Sequence, residues 1–139
     1  MLGQRAFAIV ATLAAVSCYA SETDVELGKQ WAKCSTQADI FQTLSKNTEE
    51  IERWKKTSAM LHIYAIAAAG KEVVRSERAN IKAAFYKGAF EEDVTKRAAY
   101  LNAFYAQAQT DLKFCSGSYV QNQTRFKAKV HKILERSKQ

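Results

Sequence analysis

The amino-acid sequence predicts an all-α fold, an antiparallel bundle of four to five helices that follows a cleaved N-terminal signal peptide. Proline is absent and glycine occurs only 5 times in 139 residues, whereas sheets and long loops normally need turn residues at regular intervals. Apolar residues recur at steps of three and four in several segments, the spacing of a buried helix face. The first twenty residues have the layout of an export signal.

That signal begins with a positive end and continues with an apolar run. Arg5 and the amino terminus supply the charge, residues 6–16 are apolar, and residues 17–20 are mostly small. The run is too short to span a bilayer as a helix, which needs ~20 residues. We therefore expect an exported protein, periplasmic or secreted, and not a transmembrane one.

Two cleavage sites fit this segment. Cleavage after Ala20 removes residues 1–20 and leaves residues 21–139 as a single helical bundle domain, a size that suits one core. Cleavage before Cys18 would instead make this cysteine a lipidated first residue and the protein a lipoprotein, although the resemblance of Ala15–Cys18 to a lipobox is loose.

The first helix is predicted from about Asp24 to Ser45. Its apolar stripe consists of Leu27, Trp31, Cys34, Ala38 and Phe41. The next helical pattern runs from Thr48 to Lys87, where Asn47 or Thr48 can cap the start. A straight helix of that length would span ~60 Å, so we expect a break at Gly70 or between Arg75 and Asn80.

A helix end is predicted at Lys87–Gly88, with the glycine in a left-handed conformation. Three acidic residues, Glu91 to Asp93, then open another helix, where negative charge complements the helix dipole. This helix carries the most regular stripe of the chain: Val94, Ala98, Leu101, Tyr105, Ala108, Leu112 and Cys115. We expect Ser116–Ser118 to interrupt it and a last helix to run from about Tyr119 to Ser137.

The cysteines remaining after cleavage at Ala20 are Cys34 and Cys115. An even count in an oxidising compartment indicates a disulfide, and both residues lie on core-facing stripes. Such a bridge would join the first helix to the end of the fourth.

The C-terminal helix is strongly basic. Its cations are Arg125, Lys127, Lys129, Lys132, Arg136 and Lys138. They could bind an anionic surface of the cell envelope, either lipid or cell-wall polymer, although a solvated helix face is the commoner explanation. Nucleic acid is disfavoured as a partner because of the export signal.

The sequence carries no recognisable catalytic, metal or cofactor site. His62 and His131 lie 69 positions apart without a carboxylate at ligand spacing, and there is no haem-attachment motif, nucleophile elbow or phosphate loop. We therefore expect a protein that is not an enzyme and needs no cofactor.

Aromatic residues are more numerous than the predicted stripes use. Tyr64, Tyr86, Tyr100 and Phe104 lie beside the stripes, where they either widen the core or form a surface for a partner. In size, signal and cysteine count the chain resembles many small bacterial periplasmic proteins, among them chaperone-like stress proteins and toxin-neutralising immunity proteins. The first hypothesis is an exported, macromolecule-binding protein of inhibitor or immunity type. The alternatives are the envelope-surface binding just described and a carrier of a small apolar ligand.

Overall fold

Four helices make up the described part of the chain, residues 22–139 of a computed structural model. They are α1 (Glu22–Leu44), α2 (Thr48–Ala69), α3 (Lys71–Ala89) and α4 (Val94–Arg136). This confirms the all-α bundle, while the predicted signal peptide at residues 1–20 lies outside the described residues. None of these four helices has the length and apolar character needed to cross a membrane.

The helices pack in an up–down–up–down order. Contacts between α1 and α4 run in opposite directions along the chain: the Phe41 and Tyr105 rings stack with centroids 5.4 Å apart, and near the other end Arg125 Nη1 lies 2.6 Å from Asp24 Oδ1. Consecutive helices of a bundle with short connections are antiparallel neighbours. The predicted antiparallel topology is therefore present.

Two helix starts are capped by side chains. The Asn47 side-chain oxygen accepts hydrogen bonds from the backbone N–H groups of Glu49 and Glu50, at 2.9 and 3.3 Å. Asp93 Oδ1 accepts one from the N–H of Lys96 at 3.0 Å. These bonds satisfy donors that a helix start leaves without an intrahelical partner.

The long pattern from Thr48 to Lys87 breaks at Gly70, one of the two predicted places. Gly70 has φ of 90°, a conformation that side chains disfavour, and its N–H bonds to the Ile66 carbonyl. The helix end predicted at Lys87–Gly88 lies at Ala89, but the left-handed conformation predicted for Gly88 was wrong, because its φ is not positive. A Cβ atom on Gly88 would lie 2.3 Å from the Tyr100 ring, so this glycine permits a close approach between α3 and α4.

The predicted interruption at Ser116–Ser118 was also wrong, since α4 runs without a break through 43 residues. One glycine inside a helix costs only about 1 kcal/mol. Packing compensates for that cost: Ser118 accepts a hydrogen bond from Trp31 Nε1 at 2.9 Å, one turn after the buried Cys115. Residues 22–139 therefore form four helices rather than five.

The core is centred on α1. Trp31 and Cys34 are fully buried, and the Trp31 ring makes edge contacts with Tyr64 and Phe126. The Cys34 and Cys115 sulfurs lie 2.10 Å apart with their Cα atoms 6.6 Å apart, which is bonding distance for the predicted pair. This bridge joins α1 to the middle of α4, not to its end.

Candidate partner-binding site

A polar cluster lies between α1, α2 and α3 and positions the helices around the candidate site. Arg78 forms an ion pair with Asp39 and donates hydrogen bonds to Ser35 Oγ (2.5 Å) and His62 Nδ1 (3.1 Å). Ser58 Oγ donates to Asp39 Oδ1 at 2.5 Å. Four of the five groups lie on α1 and α2, and Arg78 ties α3 to them.

Serine, histidine and aspartate side chains meet here without the geometry of a nucleophile and its base. The His62 ring is hydrogen-bonded to Arg78 and not to a serine, and the Ser58 hydroxyl donates a hydrogen bond to Asp39. Burial first, and then the Arg78 charge, lower the pKa of His62 below its usual value of 6.5. The ring is therefore neutral at neutral pH, which lets Nδ1 accept from the guanidinium.

A second buried polar cluster surrounds Asp111 of α4. Its carboxylate is 2.8 Å from Lys33 Nζ and accepts hydrogen bonds from Gln37 at 2.8 Å and Gln107 at 3.0 Å. Burial alone would raise the pKa of Asp111, but these three donors outweigh it and hold the pKa below the usual 3.8. The cluster fixes α1 against α4 one helical turn from the disulfide.

Aromatic rings from all four helices meet at the end of the bundle where α1 and α3 finish. The Phe41 ring stacks on Tyr105 of α4 and lies 5.1 Å from Trp54 of α2, measured between centroids. Phe85 of α3 lies 4.7 Å from Phe104 of α4. Such pairs contribute about 0.5–1.5 kcal/mol each beyond their buried area.

Two open grooves adjoin these rings and share Leu44 and Tyr105. The first, of about 460 Å³, is lined by Asp39, Ile40, Thr43, Leu44, Lys82, Phe85, Tyr86, Ala89, Phe90, Leu101 and Tyr105. The second, of about 530 Å³, is lined by Phe41, Leu44, Ser45, Lys46, Glu50, Arg53, Trp54, Tyr105, Gln109 and Leu112. We call the two together the aromatic surface.

Large apolar side chains of this region are exposed. Phe90 keeps 76% of its surface accessible, Val94 66% and Tyr86 51%. Phe90 and Val94, which flank the start of α4, are therefore both largely in solvent. The most regular apolar stripe of the sequence is buried at Ala108 and Cys115, whereas its first half is largely uncovered.

The four aromatic residues beside the predicted stripes differ in burial. Tyr64, Tyr100 and Phe104 are half-buried in ring clusters and widen the core. Burial also raises the pKa of Tyr100, whose hydroxyl donates to the Ala84 carbonyl at 3.1 Å. Tyr86 alone is exposed and contributes to the aromatic surface.

The predicted basic residues of α4 do not lie in one patch. All six are exposed. Helical spacing places Arg125, Lys129, Lys132 and Arg136 on one stripe. Lys127 lies on another side of α4, and Lys138 follows the end of the helix. The buried Phe126 and Val130 lie between Lys127 and the stripe. Arg125 is less available to a ligand, because it forms an ion pair with Asp24 and lies over the Phe126 ring.

Comparison of the chain with protein-family models, with curated proteins and with solved structures finds no match. Within residues 22–139, no three histidine, cysteine, aspartate or glutamate side chains come together as a set of metal ligands.

Proposed function

We propose that the protein is an exported, non-enzymatic binding protein that holds a protein partner on its aromatic surface. The observation that carries the proposal is the uncovered first half of the α4 stripe, with Phe90, Val94 and Tyr86 exposed beside it. Contiguous exposed apolar side chains of this size are uncommon on monomeric proteins and mark interaction sites. Tyrosine and phenylalanine are also enriched where protein partners meet.

The charges around the surface indicate the chemistry of the partner. Lys46, Arg53 and Lys82 line the two grooves, and no carboxylate of the described residues lies within ion-pair distance of them. Asp39 is already paired with Arg78, which leaves Glu50 as the other acidic lining residue. We therefore expect a partner segment with apolar side chains flanked by carboxylates, as an inhibitor or immunity-type protein would meet on its target.

The test uses two phenylalanines of similar exposure. Phe90 lines the aromatic surface, whereas Phe114 is 58% exposed on α4 but lines a different groove. The partner is first captured by a photo-crosslinking amino acid at position 90, with position 114 as the control. Phe90→Ala should then weaken binding of the purified partner by about 10-fold or more, as truncation of a central anchor does.

Phe114→Ala should leave the affinity within about twofold, because it removes the same type of exposed side chain outside the aromatic surface. Equal crosslinking at both positions, or equal effects of both substitutions, would contradict the proposal. Binding should also weaken as salt rises, since the cations of the rim attract the acidic flanks of the partner.

Binding to an anionic envelope surface is the second candidate. Its support is that Lys129, Lys132 and Arg136 are exposed on one stripe, without a carboxylate of the described residues within ion-pair distance. Truncation of α4 would be a poor test, because Phe126 and Val130 belong to the core. Substitution of the three cations by glutamine should instead abolish salt-dependent sedimentation with phosphatidylglycerol vesicles. Unchanged sedimentation would remove this candidate.

The carrier alternative requires an enclosed apolar cavity. The grooves of the aromatic surface are open to solvent, and the largest side chains of the core, Trp31 and Phe126, fill its centre. The geometry therefore supports a surface for a macromolecule better than a chamber for a small ligand.

A further inference from the structure

A separate groove between α2 and α3 has a strongly cationic lining. Its volume is about 360 Å³, and it is lined by His62, Ile66, Lys71, Arg75, Arg78, Ala79 and Lys82. Four of these seven side chains are cationic and none is acidic. The groove lies outside the aromatic surface, with which it shares only Lys82.

Helical spacing explains why the cations line one groove. Lys71, Arg75, Arg78 and Lys82 follow one another at steps of four, three and four, which places them on one stripe of α3. Arg75 and Lys82 are two turns apart, about 10 Å along the axis. Two long flexible side chains at this spacing reach a common anion between them.

Arg78 serves a different purpose from the other three cations. Its guanidinium is directed at Asp39, Ser35 and His62 and forms three hydrogen bonds with them. It therefore forms part of the floor of the groove, and the other three cations are the ones more available to a ligand.

The other three cations are free or nearly so. No carboxylate of the described residues lies within ion-pair distance of Lys71 or Lys82. Arg75 pairs with Glu72 at 3.3 Å, but both side chains are largely exposed. An exposed pair of this kind contributes ~0–1 kcal/mol, so an anion can displace Glu72 at little cost.

The start of α3 adds to the positive potential. Gly70 occupies the N-cap position and makes no side-chain hydrogen bond to the first turn. The backbone N–H groups there lack the capping oxygen that α2 and α4 receive from Asn47 and Asp93. A helix start in this state favours an anion.

Part of the floor of the groove is uncharged. Ile66, Ala79 and the neutral His62 ring form it together with the aliphatic stems of the cations. A bare inorganic ion would not use such a floor, whereas an organic group attached to the anion would cover it.

We propose that the α2–α3 groove binds a phosphate ester, with the phosphate held by Lys71, Arg75 and Lys82 and the organic part lying on Ile66 and Ala79. The ester is either a free small molecule or the headgroup of a lipid, which share this chemistry. The proposal does not depend on the partner-binding proposal, because Phe90, Tyr86 and Tyr105 do not line this groove.

The test compares three probes on the oxidised full chain at low salt: phenyl phosphate, inorganic phosphate and phosphatidylglycerol vesicles. We expect phenyl phosphate to bind with one site per chain and to shift α3 amide resonances in NMR titrations. Inorganic phosphate should bind about 10-fold more weakly, because it leaves the apolar floor uncovered.

The matched variants each remove two exposed cations. Lys71→Gln with Arg75→Gln should weaken phenyl phosphate binding about 10-fold or more, whereas Lys55→Gln with Lys56→Gln on α2 should change it less than twofold. Neither pair is buried, so circular dichroism should show the same helix content in both.

The outcomes are decisive in each arm. If phenyl phosphate binds, and Lys71→Gln with Arg75→Gln weakens that binding, the ligand is a free ester. If phenyl phosphate does not bind, but vesicles bind and the same double variant abolishes that binding, the ligand is a lipid headgroup. No binding of any probe, equal weakening by both pairs, or inorganic phosphate binding as tightly as the ester would overturn the proposal.

Discussion

Loss of the Cys34–Cys115 bridge should strongly destabilise the fold. The two residues are separated by 81 positions. In the chain-entropy treatment, a closed loop of that length restricts the unfolded chain by about 4.5 kcal/mol at 25 °C. Domains of this size have a free energy of unfolding of about 5–15 kcal/mol, so the contribution of the bridge is roughly 30% of it or more.

The assay is urea and thermal unfolding of the oxidised protein, the reduced protein and a Cys34→Ala, Cys115→Ala variant. Reduction should lower the free energy of unfolding by about 4.5 kcal/mol. For a domain of about 120 residues, that corresponds to roughly 15–20 °C in the midpoint. The double variant should behave like the reduced protein, and reductant should not affect it further.

Two results would refute this reasoning. The first is a difference below about 1 kcal/mol between oxidised and reduced protein, which would mean that the loop is already restricted in the unfolded chain. The second is peptide mapping that finds both thiols free and alkylatable in the isolated protein. The second result would also remove the cysteine-based argument for export.

The remaining predictions concern single side chains. Gly28→Ala should destabilise the fold by about 1–3 kcal/mol in urea unfolding, because the added Cβ would lie 2.4 Å from Ala69 Cβ. Gly117→Ala should stabilise the fold by about 0.5–1 kcal/mol, because no atom lies within 4 Å of the added Cβ. Equal effects of the two substitutions would contradict both predictions. The pKa of His62 is lowered in the fold, so the unfolded chain takes up the proton first and stability should fall as pH drops below 6.5. A His62→Gln variant should lose that slope in unfolding measured against pH, and an unchanged slope would contradict the assignment. The pKa of Asp111 is also lowered, so its contribution to the free energy of unfolding is present above pH 3.8 and lost as the pH falls below that value. Asp111→Asn should lower the free energy of unfolding by about 1–3 kcal/mol at pH 7 and reduce its dependence on pH in the acid range. A variant whose stability still falls steeply in acid would show that other groups cause the acid sensitivity.

Local signals in the sequence were sufficient for most of the fold. The spacing of Leu27 to Phe41 placed α1, Gly70 marked the end of α2, and the count of cysteines indicated the pair that the structure brings together. The helices depend on residues within a few helical turns of one another, so the periodicity of apolar residues predicts them directly. The cysteine pair follows from composition alone.

Features that depend on tertiary contacts could not be predicted in this way. The continuity of α4 through Gly117 depends on the bond between Trp31 and Ser118, 87 positions apart. The cluster around Arg78 depends on Asp39, at a separation of 39. A signal for it was present in the polar run Ser35–Gln37, between two core positions of α1. A helix whose polar residues are also buried is surrounded on all sides, and those residues need partners from other helices.

The aromatic surface follows from a mismatch in helix length. At 1.5 Å per residue, α4 is about 64 Å long, whereas α1 is about 34 Å long. Because Phe41 stacks on Tyr105, α1 ends only three residues after it reaches that ring, at Leu44. The part of α4 before this point extends past α1 and packs mainly on the C-terminal half of α3, through Phe85 and Tyr100.

A stripe in this position keeps the spacing of a core face without a helix to cover it. Selection for solubility alone would replace exposed residues such as Val94 and Phe90 by polar ones, at little cost to the core. The exposure of Val94 on the overhanging part of α4, and of Phe90 at the end of α3, therefore supports the proposed partner, which would supply the missing cover, better than packing within the bundle. Val94→Glu should then abolish partner binding, because it removes an apolar contact and repels the acidic flanks of the partner, while leaving the free energy of unfolding within about 0.5 kcal/mol. A large loss of stability would show that the stripe belongs to the core.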